Sequence, residues 1–569
     1  MSAAVAPIHA PAPVAAPPAV PAAPGFGGAR AMAYIGASVV IGLTQGVAQY
    51  FVTTNISQIA GDLGVTTTQA NWLTIAFMAP RAAMPLMLIK IRTQYGLRRF
   101  AEVAIALYLL VALAALAISD MRSALVMQFL AGMASAPLSS LAFLYVLEPL
   151  SQKWKLRLGL PLVMAVIAIG PSLARVISPA LMVGAGWSAL HLMTLGMAAI
   201  SLALVFALPL TSPPRMRVIA PLDLLSWLLI ALGFGGLTTI FTMGAVYWWT
   251  DAAWLGWVLA VAIVALTLAV AIELNRAEPL MDVRWMTSPA ILHLTVTLLL
   301  FRLILSEQSS GAPRMFAVLG VTQDQLVPIF AVIALAALLG ALALIPVMTP
   351  ARVPQLHLVA LALIAAGAWM DSHATMDTRP AQMMLSQAMI AFAGGLFLAP
   401  AMMLGLMQAL ARGPNYLLSF IIIFLSTQSL GGVMGSGLFT TFIDHRQALH
   451  LQVMREKLTS ADPMTLQEIA HRAASLAPQI ADAGMRHAQA LALIAQDASA
   501  QAYVMAYNDA YLLTALVALA ALCLLVLHLF RDWLAARWWP APAAPVPAGP
   551  VPAAPTPAPA SLPHSTPSR

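Results

Sequence analysis

The chain has 569 residues, of which 61% are hydrophobic and 9% charged, with a formal net charge of +7 and a mean hydropathy of +0.87. Length alone would allow three or four soluble domains, but soluble proteins carry about 25% charged residues, which excludes that organisation. We attribute the positive charge to cytoplasmic loops and not to nucleic-acid binding. The single cysteine, Cys523, excludes a disulfide framework and a thiol metal site.

Fourteen apolar runs of bilayer-spanning length follow one another along the chain, and very few contain a charge. Hydrocarbon offers no water to backbone polar groups, so such runs cross a bilayer only as helices. The sequence therefore predicts an all-α polytopic membrane protein. Its predicted spans are 31–52, 71–91, 100–119, 122–147, 158–183, 188–210, 222–244, 252–273, 289–312, 324–347, 355–372, 382–409, 416–442 and 508–530.

The two ends of the chain have a different composition. Residues 1–28 and 541–569 are rich in proline and alanine and low in charge, which predicts disorder. The amino-terminal stretch has no basic start and is interrupted by prolines, so it is not expected to be a cleavable signal.

Lysine and arginine in the short loops predict the orientation of the spans. Thirteen lie after even-numbered spans and three after odd-numbered ones, which places both termini in the cytoplasm. The thirteen are Lys90, Arg92, Arg98, Arg99, Lys153, Lys155, Arg157, Arg215, Arg217, Arg276, Arg284, Arg352 and Arg412, and the three are Arg122, Arg314 and Arg379.

One loop differs from the others. Residues 443–507, on the predicted outer side, are polar with helical periodicity, and Asp462-Pro463 is typical of an N-cap followed by a first-turn proline. This loop is either a helical hairpin on its own transmembrane domain, or a docking surface or interfacial helix.

Three arginines lie well inside the apolar runs: Arg81 in the second, Arg175 in the fifth and Arg302 in the ninth. A charge at mid-bilayer costs about 2.5–3.5 kcal/mol on insertion scales and usually faces a cavity or a partner. One interpretation is structural, with the guanidinium capping carbonyls freed by nearby prolines or extending to an interface. The other is a positive site for an organic anion, because guanidinium matches a carboxylate with paired donors.

Glu307 follows Arg302 by five residues, so the two side chains lie about 140° apart on an ideal helix and are poor intrahelical partners. Glu307 is the candidate for proton coupling, because burial favours a protonated carboxyl group. The alternative is a solvated carboxylate near the outer surface. Glu148 and Asp371 lie at span ends and are weaker candidates.

The first span has a polar edge that either lines a pathway or makes contacts between helices. Gln49 and Asn55 on this edge are the candidates for substrate contact; its other members are Gln45, Tyr50 and Thr54. The chain contains no phosphate-binding loop and no His/Cys/Glu cluster with metal-ligand spacing. We therefore expect no enzyme activity, no cofactor and no metal site.

Six stretches are similar, in order, to segments of one transporter family. They are 59–64 (IAGDLG) with Trp72, 96–99 (GLRR), Asp223, 278–280 (EPL), 427–432 (TQSLGG) with Gly435, and 501–502 (QA) with 507–511 (YNDAY). On these residues the chain resembles the fourteen-helix drug/proton antiporters of the major facilitator superfamily, the EmrB/QacA type.

The resemblance implies two six-helix bundles that give alternating access to a central cavity. The bundles would be 29–210 and 288–530, the second including the helical loop 443–507. Residues 211–287 would form an inserted helix pair, and 531–569 a tail like 1–28. Gly96, Arg98 and Arg99 would belong to a conformational motif. Some family members pass substrate to a periplasmic adaptor and an outer-membrane channel, and the long loop is compatible with such partners.

The chain departs from the family pattern at several positions. No acid stands near Ala48, Gln128 replaces an arginine, and Ala174-Arg175 replaces a Gly-Pro motif. The loop 2–3 motif has Ile89 and Thr93 where the family has glycine and aspartate. The family's proton-site residues therefore do not transfer to this chain.

Together these features predict a proton-coupled secondary transporter of a bacterial inner membrane that exports organic anions or amphipathic toxic compounds. One alternative is a broad multidrug exporter whose arginines are structural. Another is a non-transporting membrane sensor or assembly subunit.

Overall fold

The computed structural model describes residues 28–538, apart from 213, 277–278 and 458–461. The predicted tails therefore lie outside the described residues, except that Gly28 begins the first helix and 531–538 continue the last one. The helix extends this far because the proline-rich composition starts only at Pro540. The described residues contain helices and turns but no strand.

In the N-terminal half, α1–α7, two of the helices begin at side-chain caps. Thr66 and Asp120 cap α3 and α5 by accepting backbone N–H bonds with their side chains. Its helices are α1 Gly28–Thr54, α2 Ile56–Asp62, α3 Thr67–Tyr95, α4 Leu97–Ala114, α5 Met121–Leu147, α6 Gln152–Trp154 and α7 Leu160–Ala207.

Helix α7 contains two predicted spans in one element. It kinks at Val183–Gly186, where Gly184 and Gly186 have φ angles of +93° and +55°, conformations that favour glycine. The kink separates the spans Lys155–Gly184 and Gly186–Ala207.

Between the halves stand α8 Pro221–Met243, α9 Ala253–Leu274 and α10 Val283–Met286. Helices α8 and α9 pack against each other, and α8 also packs against α3 and α16. This pair therefore contacts helices of both halves.

The C-terminal half, α11–α18, has two features that the spans alone do not predict. The segment that contains the predicted ninth span, Pro289–Val318, changes its helical form, because a π-helical turn, Glu307–Gly311, lies between α11 and α12. Helices α16 and α18 are far longer than a bilayer requires. The helices are α11 Pro289–Ile304, α12 Ala312–Val318, α13 Val327–Val347, α14 Val353–Asp371, α15 Met384–Arg412, α16 Pro414–Lys457, α17 Pro463–Ser475 and α18 Ala483–Trp538.

In both halves, the second and fourth spans pack together through a glycine at the helix crossing. Helix α3 packs on α5, where a Cβ at Gly132 would lie 2.2 Å from the Phe77 carbonyl oxygen. Helix α13 packs on α15, where a Cβ at Gly340 would lie 2.2 Å from the Phe392 carbonyl oxygen. Glycine is required at both crossings because the backbones touch.

Thirteen helical segments among the described residues are long and apolar enough to cross a membrane. They correspond to predicted spans 1–12 and 14. The predicted thirteenth span lies within α16, which is not among the thirteen. An all-helical polytopic protein is confirmed, and the count of fourteen stays a prediction.

The predicted outer loop is a helical hairpin built by extension of the spans. Helix α16 continues to Lys457, and α18 begins at Ala483, well before the predicted fourteenth span. Arg446 on α16 bonds Asp509 on α18 at 2.6 Å, and Arg472 on α17 bonds Asp497 on α18 at 2.5 Å.

The described residues divide into two units, with the boundary between Leu522 and Cys523. The candidate site lies wholly in the first. In the second, the end of α18 exposes Phe530 and Trp533 and pairs Arg531 with Asp532 at 2.8 Å.

Candidate functional site

Arg81 lies in a cage of neutral polar groups inside the N-terminal half. Its guanidinium donates to Ser135 Oγ at 2.9 Å, to Ser139 Oγ at 3.3 Å and to Gln45 Oε1. Ser139 also donates to Gln45 at 3.0 Å, and the guanidinium lies 5.7 Å from the centre of the Phe77 ring. The cage joins α1, α3 and α5 around one positive charge, and no carboxylate bonds to it among the described residues.

Arg175 connects the two halves. It donates from α7 to the carbonyl oxygen of Ser309, in the π-helical turn of the C-terminal half, at 3.2 Å, and lies 4.9 Å from the Phe330 ring centre. A second contact between the halves joins Gln323 to the Thr54 carbonyl oxygen at 3.2 Å. Both contacts lie toward the predicted outer end, and the halves also pack against each other along α7 and α13.

Arg302 has no hydrogen bond or ion pair to its guanidinium among the described residues. Its side chain lies against two glycines of α16: a Cβ at Gly431 would lie 3.2 Å from Arg302 Cβ, and one at Gly432 would lie 2.7 Å from Nη2. Among the residues that the structure describes, neither Arg302 Nε nor Gln428 Nε2 has a partner, and both are buried. Gln428 precedes Gly432 by four residues and therefore shares its face of α16. Two unpaired N–H donors thus flank one helix interface.

Glu307 and Asp371 form a buried carboxylate pair joined by one amide. Gln387 Nε2 donates to Glu307 Oε1 at 2.7 Å and to Asp371 Oδ2 at 2.8 Å. Ser386 donates its hydroxyl to the other oxygen of Asp371, and Gln308 donates to the Gln387 carbonyl oxygen at 3.0 Å. Glu307 is 0% exposed and Asp371 3% exposed. The π-helical turn that carries Glu307 is the same one that Arg175 contacts, and π-helical turns occur often at functional sites.

The predicted substrate residues of the first helix have partners within the protein. Gln49 contacts the Met78 sulfur at 3.8 Å, near Arg81 in sequence. Asn55 is fully buried at the junction of α1 and α2, where its amide donates to the Phe51 carbonyl oxygen at 2.8 Å. The structure therefore places Gln49 beside the Arg81 helix and Asn55 in a chain turn.

The predicted conformational motif lies at the turn between α3 and α4. Gly96 ends α3 with φ +88°, and the Arg98 backbone N–H donates to Ser212 Oγ at 2.9 Å. The Arg98 side chain pairs with Glu102 one turn later at 2.8 Å, while Arg99 is exposed. The positive φ angle accounts for glycine at position 96. The hydrogen bond to Ser212 attaches the turn to the linker before α8.

A separate charge cluster ties α8 and α9 to α3. Asp223 accepts from Lys90 at 2.7 Å and from Arg276 at 2.8 Å, and Arg276 also pairs with Glu273 at 3.0 Å. Both carboxylates are fully buried at their side chains, and both cations are 11% exposed. The cluster carries two charges of each sign.

Two site residues escaped prediction from the sequence, and a third, Asp371, was predicted only as a weaker candidate. Gln387 and Gln428 are neutral, so a search for embedded charges passes over them, although polar residues inside spans are themselves a signal. Asp371 stands at the end of its span, and the sequence does not show that α14 buries it against α15. Two cavities in the N-terminal half, of about 40 and 390 Å³, share Trp187 and His191 in their walls, and no predicted site residue lines either one.

No protein-family model matches the chain, and no curated protein matches it. Solved structures do share its fold. The human organic anion transporter MFSD10 (TETRAN) gives a TM-score of 0.52 at 12% identity, over 86% of this chain and 99% of that one. The proton:xylose symporter XylE gives 0.51 at 11% identity, over 86% and 95%. A POT family peptide transporter gives 0.50 at 15% identity, over 88% and 96%.

At these identities the likeness defines the fold. The chain is a polytopic helical membrane protein with the major facilitator fold, as the sequence predicts. The three compared proteins are transporters and not enzymes. The EmrB/QacA family within this fold stays a prediction.

Proposed function

We propose that this chain is a secondary transporter that exports organic anions, coupled to protons. The fold, the spans and the contacts between its halves support transport by alternating access. The halves are 29–210 and 288–530, with 211–287 as an inserted pair. Because the fold is shared by proteins named for anions, a sugar and peptides, it does not select the substrate.

The unpaired guanidinium of Arg302 carries the anion proposal. Arg81 is satisfied by neutral groups and Arg175 by a carbonyl and a ring, whereas Arg302 Nε and Gln428 Nε2 are buried donors without acceptors. Each such donor costs about 1–3 kcal/mol while it is unpaired. A carboxylate or sulfonate between α11 and α16 would supply acceptors to both and balance the charge. A cationic drug would supply neither.

Glu307 is the proposed proton carrier. It is a fully buried carboxyl in the same helix region as Arg302, with one oxygen that has no partner. Burial disfavours the charged form of a carboxyl group, so proton gain and loss at Glu307 would accompany changes in water access.

The test is transport by the purified full-length protein in proteoliposomes under an imposed pH gradient. Benzoate and a medium-chain fatty acid serve as anions and ethidium as the cation. We expect Arg302→Gln to lower anion flux about 10-fold, the equivalent of about 1.4 kcal/mol. Arg302→Lys should retain part of the flux, because it keeps the charge and loses the paired donors. The exposed Arg412→Gln is the matched control. Anion flux that is unchanged in Arg302→Gln would overturn the proposal.

A broad multidrug exporter is the second candidate, and the cage around Arg81 favours it, because that arginine already has its hydrogen bonds. Ethidium efflux that survives neutralisation of Arg81, Arg175 and Arg302 would select this candidate. Flux that follows the pH gradient would eliminate a non-transporting sensor or assembly subunit.

The proposed location is a bacterial inner membrane with both termini cytoplasmic, which rests on the loop charges. A periplasmic adaptor and an outer-membrane channel stay predictions. The hairpin of α16, α17 and α18 would stand on the adaptor's side of the membrane in that orientation.

A further inference from the structure

Two carboxyl groups share one amide nitrogen in the C-terminal half. Gln387 Nε2 lies 2.7 Å from Glu307 Oε1 and 2.8 Å from Asp371 Oδ2. Neither carboxyl group has an ion pair among the described residues, and both are buried. Two adjacent negative charges without a cation are strongly disfavoured in such a site, so the pair holds a proton.

The donors around the pair distinguish its two members. Both oxygens of Asp371 accept a hydrogen bond, one from Gln387 and the other from Ser386. Within the described part of the chain, Glu307 accepts a hydrogen bond at Oε1 alone, and its Oε2 is buried without a partner. Donors to both oxygens stabilise an ionised carboxylate, whereas a bare, buried oxygen is better tolerated when it carries a proton.

The other titratable or charged groups on the surrounding elements have different partners or none. Arg175 bonds the Ser309 carbonyl oxygen, and Arg302 points to the glycines of α16. Arg314 bonds Thr440, and the Tyr511 hydroxyl donates to the Met315 sulfur at 3.6 Å. None of these groups makes a hydrogen bond or ion pair to Glu307 or Asp371 among the described residues.

We propose that Glu307 Oε2 holds the exchangeable proton and that Asp371 stays ionised as a positioning residue, whose negative charge keeps that proton on Glu307. The transport consequence rests on the proposed function; the protonation itself does not. Asp371 thus sets the pH at which the carrier releases its proton.

Infrared difference spectroscopy of the purified protein during a pH titration tests this proposal without transport. The wild type should show the carbonyl stretch of one buried protonated carboxylic acid at neutral pH. Glu307→Gln should lose this band. Asp371→Asn should keep it, with the titration midpoint lowered by about 1 pH unit, because the neighbouring negative charge is gone. Asp371→Glu should restore a midpoint near that of the wild type.

The exposed Asp377→Asn is the charge-matched control and should leave the midpoint unchanged. A band that survives in Glu307→Gln and disappears in Asp371→Asn would place the proton on Asp371 and overturn the proposal. Equal midpoints in the wild type and Asp371→Asn would overturn it as well. If Asp371→Asn does not fold, Glu307→Gln alone still decides which group carries the proton.

The proteoliposome pH profile supplies the link to transport. Asp371→Asn should move the midpoint of anion flux to lower pH by the same amount as the infrared band. If Asp371→Asn shows the expected infrared shift but the protein transports no anion, the result contradicts the proposed function and leaves the proposed protonation standing. If the protein transports anions but Asp371→Asn shows no infrared shift, the result contradicts the proposed protonation and leaves the proposed function standing.

Discussion

Lys90 Nζ lies 2.7 Å from Asp223 Oδ1, which joins the C-terminal end of α3 to the start of α8. Arg276 bonds the same oxygen at 2.8 Å, so one buried carboxylate forms ion pairs with two cations. Helices α8 and α9 are therefore held to α3 by ion pairs as well as by the packing of α8 on α3.

Asp223→Asn should destabilise the protein strongly. Among the described residues, the substitution leaves Lys90 without an ion pair and Arg276 with Glu273 alone, and breaking a buried pair in this way costs about 3–5 kcal/mol. We expect a clear fall in the melting temperature in detergent. The exposed Asp251→Asn removes the same charge and should have little effect. Equal melting temperatures for the two variants would contradict a structural role for the cluster.

Gly432→Ala should weaken anion binding while leaving the fold intact. Its Cβ would lie 2.7 Å from Arg302 Nη2, the far end of a flexible side chain, so the guanidinium would shift and the backbone would not. We expect anion affinity, measured by calorimetry with benzoate, to fall about 10-fold. Gly196→Ala is the control, because nothing lies within 4 Å of the added carbon. Unchanged affinity in Gly432→Ala would argue against an anion beside Arg302.

Arg175→Gln should favour separation of the halves at the predicted outer end. It removes the bond to the Ser309 carbonyl oxygen and the contact with the Phe330 ring. Spin labels at positions 58 and 322, in a Cys523→Ala background, should show a larger population of long distances. Arg122→Gln, an exposed substitution on the predicted outer side, should leave the distribution as it is. If the distance distribution of Arg175→Gln is identical to that of the unsubstituted protein, Arg175 does not hold the halves together at this end.

Acid should loosen the start of α17. Asp462 accepts from the Thr465 hydroxyl at 2.7 Å and from the Thr465 backbone N–H at 3.1 Å, and these bonds lower the pKa of Asp462 below its usual value. A lowered pKa in the folded state stabilises the helix above the ordinary carboxyl pKa, and this stabilisation is lost as the pH falls through the lowered value. The protection factors for hydrogen exchange at residues 464–468, which compare each rate with that of an unstructured amide at the same pH, should fall in acid. Asp462→Ala should have low protection factors at every pH, and wild-type protection factors that do not change with pH would contradict the cap.

The sequence predicts the spans well because a backbone in hydrocarbon has only the helix available to it, so apolar run length decides the element. It also predicts the cap at Asp462 and the poor pairing of Arg302 with Glu307, since both depend on local spacing. The π-helical turn Glu307–Gly311 in the ninth span is different, because no local spacing in the sequence predicts it.

The site is predicted only in part for the same reason. Arg81 stands out by its charge, but its cage of Gln45, Ser135 and Ser139 arises from three helices far apart in sequence. Asp371 and Gln387 gain their importance from the contact of α14 with α15, which no periodicity in either helix encodes.

Helix α16 runs without interruption from the predicted thirteenth span into the hairpin, which would couple the two mechanically. Residues 443–457 extend α16 by roughly 20 Å beyond its predicted span at 1.5 Å per residue. Because a continuous helix transmits tilt along its axis, a 10° rotation of the C-terminal half would sweep the hairpin tip sideways by about 4 Å. Helix movements inside the membrane would therefore change the position of the hairpin tip in the aqueous phase.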